Sequence, residues 1–138
     1  MATVKGILVN DGGAPSRIIN FKAGEDISAG EALAVNAADS VKLCGQSLGG
    51  TAPSSDGTMP IAGFALTDAS SGDMVSVVTG SGIVVYAMCK SCVAGDALSV
   101  GATAGTLDDS TADTVEHCAI ALEVNTVNAG ALTKVLVV

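Results

Sequence analysis

The sequence predicts an all-β fold, a small β-barrel or β-sandwich built from two related halves with an extended N-terminal arm. Three observations carry this: abundant glycine among valine-rich runs, an aliphatic core vocabulary almost without aromatics, and a segment that occurs twice. The chain has 138 residues and 17 glycines, and its hydrophobic residues make up 49% of it. Glycine supplies turn conformations and is costly inside helices, so its scatter among β-branched runs marks short strands joined by tight turns. Phe21, Phe64 and Tyr86 are the only aromatic residues, so the core has to be assembled from Ala, Val, Leu and Ile. A chain of this length buries a core as one ordinary domain.

Residues 1–20 read as the arm. A strand-like run from Val4 to Val9 is followed by the turn signal Asn10-Asp11-Gly12-Gly13-Ala14-Pro15. The segment either packs on a neighbouring molecule or forms an edge strand of the same domain. Residues 21–138 then form a single β domain. Within it, Ile27-Ser28-Ala29-Gly30-Glu31-Ala32-Leu33-Ala34-Val35 matches Cys92-Val93-Ala94-Gly95-Asp96-Ala97-Leu98-Ser99-Val100. Glycine followed by an acid makes a turn, and the alternating apolar residues after it enter a half-buried strand. Ser71-Gly72-Asp73-Met74-Val75-Ser76-Val77 is a weaker third copy, so Gly30, Gly72 and Gly95 are the turn glycines of the repeat.

A second element also recurs. Gly63-Phe64-Ala65-Leu66 leads to Gly72 and Val75, as Ala119-Ile120-Ala121-Leu122 leads to Gly130 and Leu132. The half-repeats therefore run over about 24–78 and 89–138, and the size of a stable core favours their closing one shared barrel or sandwich. Two polar stretches, Gly45 to Thr58 and Gly101 to Glu116, read as long surface loops. Ala112 to Glu123 is the best helical stretch, but its Ile120-Ala121-Leu122 core matches a strand of the other half and is assigned to strand.

Charge and composition narrow the function. Fourteen acids against six bases give a net charge of −8, which repels phosphate backbones and anionic membranes. Single-strand recognition needs aromatic platforms beside a basic groove, and both ingredients are missing. The longest apolar run, Ile83 to Cys89, falls far short of the ~20 residues of a membrane-spanning helix. Met1-Ala2-Thr3-Val4-Lys5-Gly6 has no charged leader with a cleavage site, so synthesis in a cytosol is expected. The sequence thus predicts no nucleic-acid partner and no membrane partner.

No enzymatic constellation stands out. Gly45-Gln46-Ser47-Leu48-Gly49 satisfies the nucleophile-elbow pattern, with acids and His117 downstream, but it runs into Gly50-Thr51-Ala52-Pro53 instead of a helix that would aim the serine. Cys89-Lys90-Ser91-Cys92 has redox or half-zinc-site spacing, yet the repeat sets Cys92 where its partner has Ile27, which favours apolar packing for it and for Cys44 and Cys118. Asp108, Asp109, Asp113 and Glu116 lack the spaced ligands of a calcium loop. Neighbours on a strand point to opposite faces, so His117 and Cys118 form no dyad. No cofactor, metal or catalytic residue is expected, and the chain is read as a non-enzyme.

The arm, Phe21 to Glu31, Gly63-Phe64-Ala65-Leu66 with Ser71-Gly72-Asp73, Ala94-Gly95-Asp96, and Ala119-Ile120-Ala121-Leu122-Glu123 together form a recognisable pattern. Over roughly residues 21–138 it resembles the small capsid decoration (cement) proteins of tailed bacteriophages, particularly the family catalogued as domain of unknown function 2190. That resemblance implies a compact β-barrel on the outside of the expanded shell, often trimeric, that bridges neighbouring subunits of the major capsid protein and stabilises the mature shell. The four cysteines and the long first loop depart from the pattern. It implies a virion location on the capsid exterior after synthesis in the host cytoplasm. Contacts with capsid or sister subunits are expected at Arg17, Ile18, Ile19 and Phe21 and in the two loops. Two other readings stand beside it. One is a self-assembling shell, tube or fibre component of a virion. The other is a β-clip-like ligand-binding module, which Glu25 to Glu31 also resembles.

Overall fold

The computed structural model describes residues 8–10, 17–44, 61–100, 103–109 and 118–138, and among these it holds strands and turns but no helix. The strands run in chain order as β1 (Leu8–Asn10), β2 (Arg17–Ala23), β3 (Ala32–Ala37), β4 (Ser40–Leu43), β5 (Gly63–Ala65) and β6 (Met74–Thr79). They continue as β7 (Val84–Cys89), β8 (Ala97–Val100), β9 (Leu107–Asp109), β10 (Ala119–Ala121) and β11 (Ala131–Val137). The all-β class predicted from glycine and aliphatic content is the class observed.

Two sheets form, one per half. β2-β4-β3-β5-β6 closes as a barrel, with β2 antiparallel to β6 and parallel to β4. The second sheet runs β1-β7-β11-β10-β8-β9, and a parallel bridge between Cys89 and Leu107 joins β7 to the last strand, β9. Where one shared barrel or sandwich was expected, the first half forms a closed five-stranded barrel and the second a six-stranded sheet whose β7-β11-β10-β8-β9 strands are joined into a ring by that one bridge. The strands of each half pair among themselves, and the edge of β7 left open beyond the Cys89–Leu107 bridge is taken by β1.

The register shows how closely one half copies the other. Ala32 faces Phe64 as Ala97 faces Ile120, Leu33 faces Leu43 as Leu98 faces Asp109, and Lys22 faces Met74 as Met88 faces Leu132. The repeat begins earlier than the sequence suggests, since β2 and β7 are equivalent first strands and start at Arg17 and Val84. Arg17 to Asn20 accordingly stand in a barrel strand and not in the arm. Leu8–Asn10 adds to β7 as an edge strand. Residues 1–7 and 11–16 lie outside the described residues.

A second correction concerns the expected loop from Gly101 to Glu116. Leu107–Asp109 is a strand, paired with β8 through Val100–Leu107, Ser99–Asp108 and Leu98–Asp109. Its two aspartates disguised it, but Leu107 is fully buried and anchors the strand to the core. The elbow motif at residues 45–49 and the rest of the first loop lie outside the described residues, as do Asp113, Glu116 and His117.

Two apolar clusters hold the molecule. The smaller fills the first barrel with Ala23, Ile27, Leu33, Val41, Ala65, Val75 and Val77. The larger fills the second ring and also takes in Ala29, Ala32, Ala34, Phe64, Leu66 and Val78 from the outside of the first. Main-chain bonds cross the same junction, from Met88 N to Gly30 O at 2.8 Å, from Ala32 N to Gly105 O at 2.9 Å and from Gly105 N to Cys44 O at 2.7 Å.

Candidate functional site

The repeated turn is built the same way twice. The Glu31 carboxylate accepts from Ser28 N at 2.6 Å, and the Asp96 carboxylate accepts from Val93 N at 2.8 Å. Gly30 N donates to Ala65 O and Gly95 N to Ala121 O, both at 2.8 Å. Gly30 and Gly95 have φ of 91° and 95°, a region that side chains with a Cβ avoid. The motif Gly-acid is thus a physical unit: glycine permits the turn, and the acid caps it. Gly72 has a φ of 92°, but its structural equivalent is Gly130 before β11, so the weak third copy belongs to the second recurring element. Burial pushes the Glu31 carboxyl above the usual carboxylate range, against the opposing effect of the Ser28 amide.

The four residues expected at contacts do not act as one group. On β2, Ile19 and Phe21 lie opposite Val77 and Val75, while Ile18 lies opposite Val78. Phe21 is half-buried and packs against the first-barrel core. Arg17, Ile18 and Ile19 remain exposed, Ile18 at 56%. Apolar residues left in water at this level mark interaction surfaces when they cluster.

A second exposed apolar group was not anticipated. Val93, Leu122, Val124 and Val127 surround the Gly95 turn, which Gly95 N–Ala121 O and the bridge between Cys92 and Asn125 fasten together. Met74 protrudes from β6 at 59% exposure. Period-two alternation along β6, with Val75 and Val77 buried, was the available signal for Met74. Nothing local distinguishes Leu122 from its buried equivalent Leu66.

The cysteines are core residues. Cys44, Cys89, Cys92 and Cys118 form no disulfide, and all four pack in or against the larger cluster. Burial pushes Cys44 and Cys89 up to about 12 and Cys118 up to about 11, and it raises Cys92 as well. Thiols held protonated in this way are poor nucleophiles. Cys92 bridges to Asn125 where Ile27 bridges to Ala69, so it occupies the apolar position that the repeat assigns to it. Among the described residues no three His, Cys, Asp or Glu side chains come together as a metal site. Asp108 and Asp109 sit side by side on β9, where the Asp108 carboxylate accepts from Asp109 N at 2.9 Å. No helix of the described residues is long and apolar enough to cross a membrane.

No protein-family model matches the chain, and no curated protein matches it. The arrangement of strands does have a counterpart among solved structures: over 90% of this chain and 95% of the other, with 16% sequence identity and a TM-score of 0.64, the fold is that of the N base of head fibre gp8.5 in bacteriophage phi29.

Proposed function

We propose that this chain is a structural protein of a phage virion that binds the outside of the capsid and stabilises the mature shell by bridging neighbouring subunits of the major capsid protein. The observation that carries the virion reading is the fold shared over nearly the full length with a phage head fibre base. The site chemistry points the same way. Among the described residues the cysteines lie in or against the core, and several large apolar side chains, Ile18, Met74, Val93 and Val124 among them, stand exposed, which suits assembly. Cementing works by mass action, since a module that binds only the mature shell stabilises that shell, and many copies multiply a modest energy per site. A net charge of −8 keeps free copies away from nucleic acid until they dock. Arg17, Ile18 and Ile19 are the proposed capsid-facing residues, and the resemblance to decoration proteins makes a trimer the proposed state. Synthesis in the host cytoplasm and a final place on the capsid exterior complete the reading.

A second reading is favoured by the same neighbour. Its head fibre identity supports a fibre component, in which this chain forms the base of a projection and not a cement. Quantitative mass spectrometry of purified, DNA-filled particles separates the two. A copy number comparable to the major capsid protein supports cementing, and a small fraction of it supports a fibre base. Absence from particles discards both and moves the β-clip-like ligand-binding module to first place.

A further inference from the structure

Because the chain contains the same unit twice, the contact between its halves has a counterpart that one molecule does not make. Inside the chain, the turn surface of the first half is covered by the outer face of β7 and β11. Met88 N bonds to Gly30 O, Leu132 stands so close that a Cβ on Gly30 would collide with it, and Tyr86 O lies 3.2 Å from the same position. Beneath this cover, Ala29, Ala32, Phe64 and Leu66 are buried, Leu66 to 5% exposure.

Among the described residues, the equivalent turn surface of the second half has no such cover. A Cβ on Gly95 would meet nothing within 4 Å. Leu122, the equivalent of Leu66, is 40% exposed, and Ala94, Ala97 and Ile120 are exposed or half-exposed. This surface is also more apolar than its covered counterpart, because Val93 and Val124 stand where the first half has Ser28 and Asp68, whose carboxylate accepts from Ala29 N. Val124 is 61% exposed.

The equivalent covering face is bare as well. Register pairs Lys22 with Met74 where the second half pairs Met88 with Leu132, and both Lys22 and Met74 are exposed. One molecule therefore presents both surfaces of an unmade contact. We infer that copies of this chain associate head to tail, the Gly95 turn surface of one copy, with Val93, Leu122 and Val124, docking on the β2–β6 outer face of the next around Met74. Such a contact is heterologous, joining two different patches, and it repeats around a ring or along a filament. It is made by side chains, because Lys22 N is already bonded to Asp39 O at 2.9 Å and cannot copy the Met88–Gly30 bond. The charge suits it: Lys22 lies on the receiving face, and Asp96 and Glu123 flank the entering turn.

This inference deepens the homo-oligomeric part of the reading above, and it is tested on purified full-length chain without particles, so it fails or stands separately from virion membership. Light scattering after size-exclusion chromatography, over a range of concentrations, is expected to show association of the wild type. Met74→Glu, Leu122→Glu and Val124→Glu place charges at exposed positions and are expected to keep the β-sheet circular dichroism. Each is expected to raise the dissociation constant at least about thirtyfold, the effect of losing one interface anchor. Mixing Met74→Glu with Leu122→Glu then restores one intact contact per pair and gives a one-to-one dimer. A wild type that stays monomeric at millimolar concentration overturns the inference. So does association unaffected by the substitutions, and so does a mixture of the two variants that remains monomeric.

Discussion

Single residues set the tolerances of this fold, and three glycines show how differently the same residue type can be required. Gly95 is needed for its backbone alone, since its φ is 95° and its surroundings are open. Gly30 has the same φ and also lies under Leu132. Gly63 has no unusual φ, but a Cβ there would lie 2.7 Å from Val77 Cγ1 and collide with the Val78 carbonyl, which belongs to the paired strand and cannot swing aside. Gly95→Ala is expected to cost about 1 kcal/mol for the left-handed backbone, and Gly63→Ala about 3 kcal/mol for forcing β5 and β6 apart. Urea denaturation of the two variants checks the order, and a larger loss at Gly95 contradicts it.

The thiols make a second prediction at this scale. Cys44, Cys89 and Cys118 have folded-state pKa values of about 12, 12 and 11 against 9.0 in a free thiol. The unfolded chain therefore releases these protons first as the solution becomes alkaline. Their contribution to stability is whole below about pH 9 and is lost as pH rises through the folded values. The urea midpoint is expected to fall between pH 9 and pH 12, and to fall less steeply in a Cys44→Ala/Cys89→Ala variant. Equal slopes in both proteins would overturn this prediction.

At the scale of elements, the useful distinction is between strands that close a ring and a strand that only adds to one. β2 pairs with β4 on one side and β6 on the other, so the first barrel cannot close without it. Among the described residues, β1 is strand-paired to the second ring through β7, at Leu8–Val85 and Asn10–Val84. Removing residues 1–10 is expected to leave a cooperative thermal transition with a modestly lower midpoint, whereas removal through Ala23 abolishes that transition. Comparable melts for the two truncations would mean that β2 does not close the barrel. The turn-to-strand units at Gly30 and Gly95 were legible because their chemistry is local: glycine, a capping acid and alternation lie within nine residues. β9 was not legible, because three residues carrying two aspartates show no period, and only pairing with β8 defines them.

For the molecule as a whole, the two rings pack on one another through a shared apolar cluster. The larger core cluster draws on both halves, and the β8–β9 hairpin inserts Gly105 between Ala32 and Cys44 of the first half. A Cβ at Gly105 would stand 2.9 Å from Glu31 Oε2 and 3.0 Å from Leu43 Cδ2, so this docking leaves little room. The candidate surface was legible only in part. Arg17, Ile18 and Ile19 were picked out and are exposed, Phe21 is half-buried against the first-barrel core, and the group around Gly95 went unnoticed.

The sequence by itself determined strand character, the twofold organisation and the positions of the repeated turns, because each follows from backbone preference and side-chain period over a few residues. The tertiary structure alone decided that each half closes its own ring and which of two equivalent apolar faces is covered. Leu66 and Leu122 follow matching strands, yet one is buried and the other exposed. Alternation tells a chain which face is apolar, but what lies against that face depends on segments far away in sequence, and only folding brings them there.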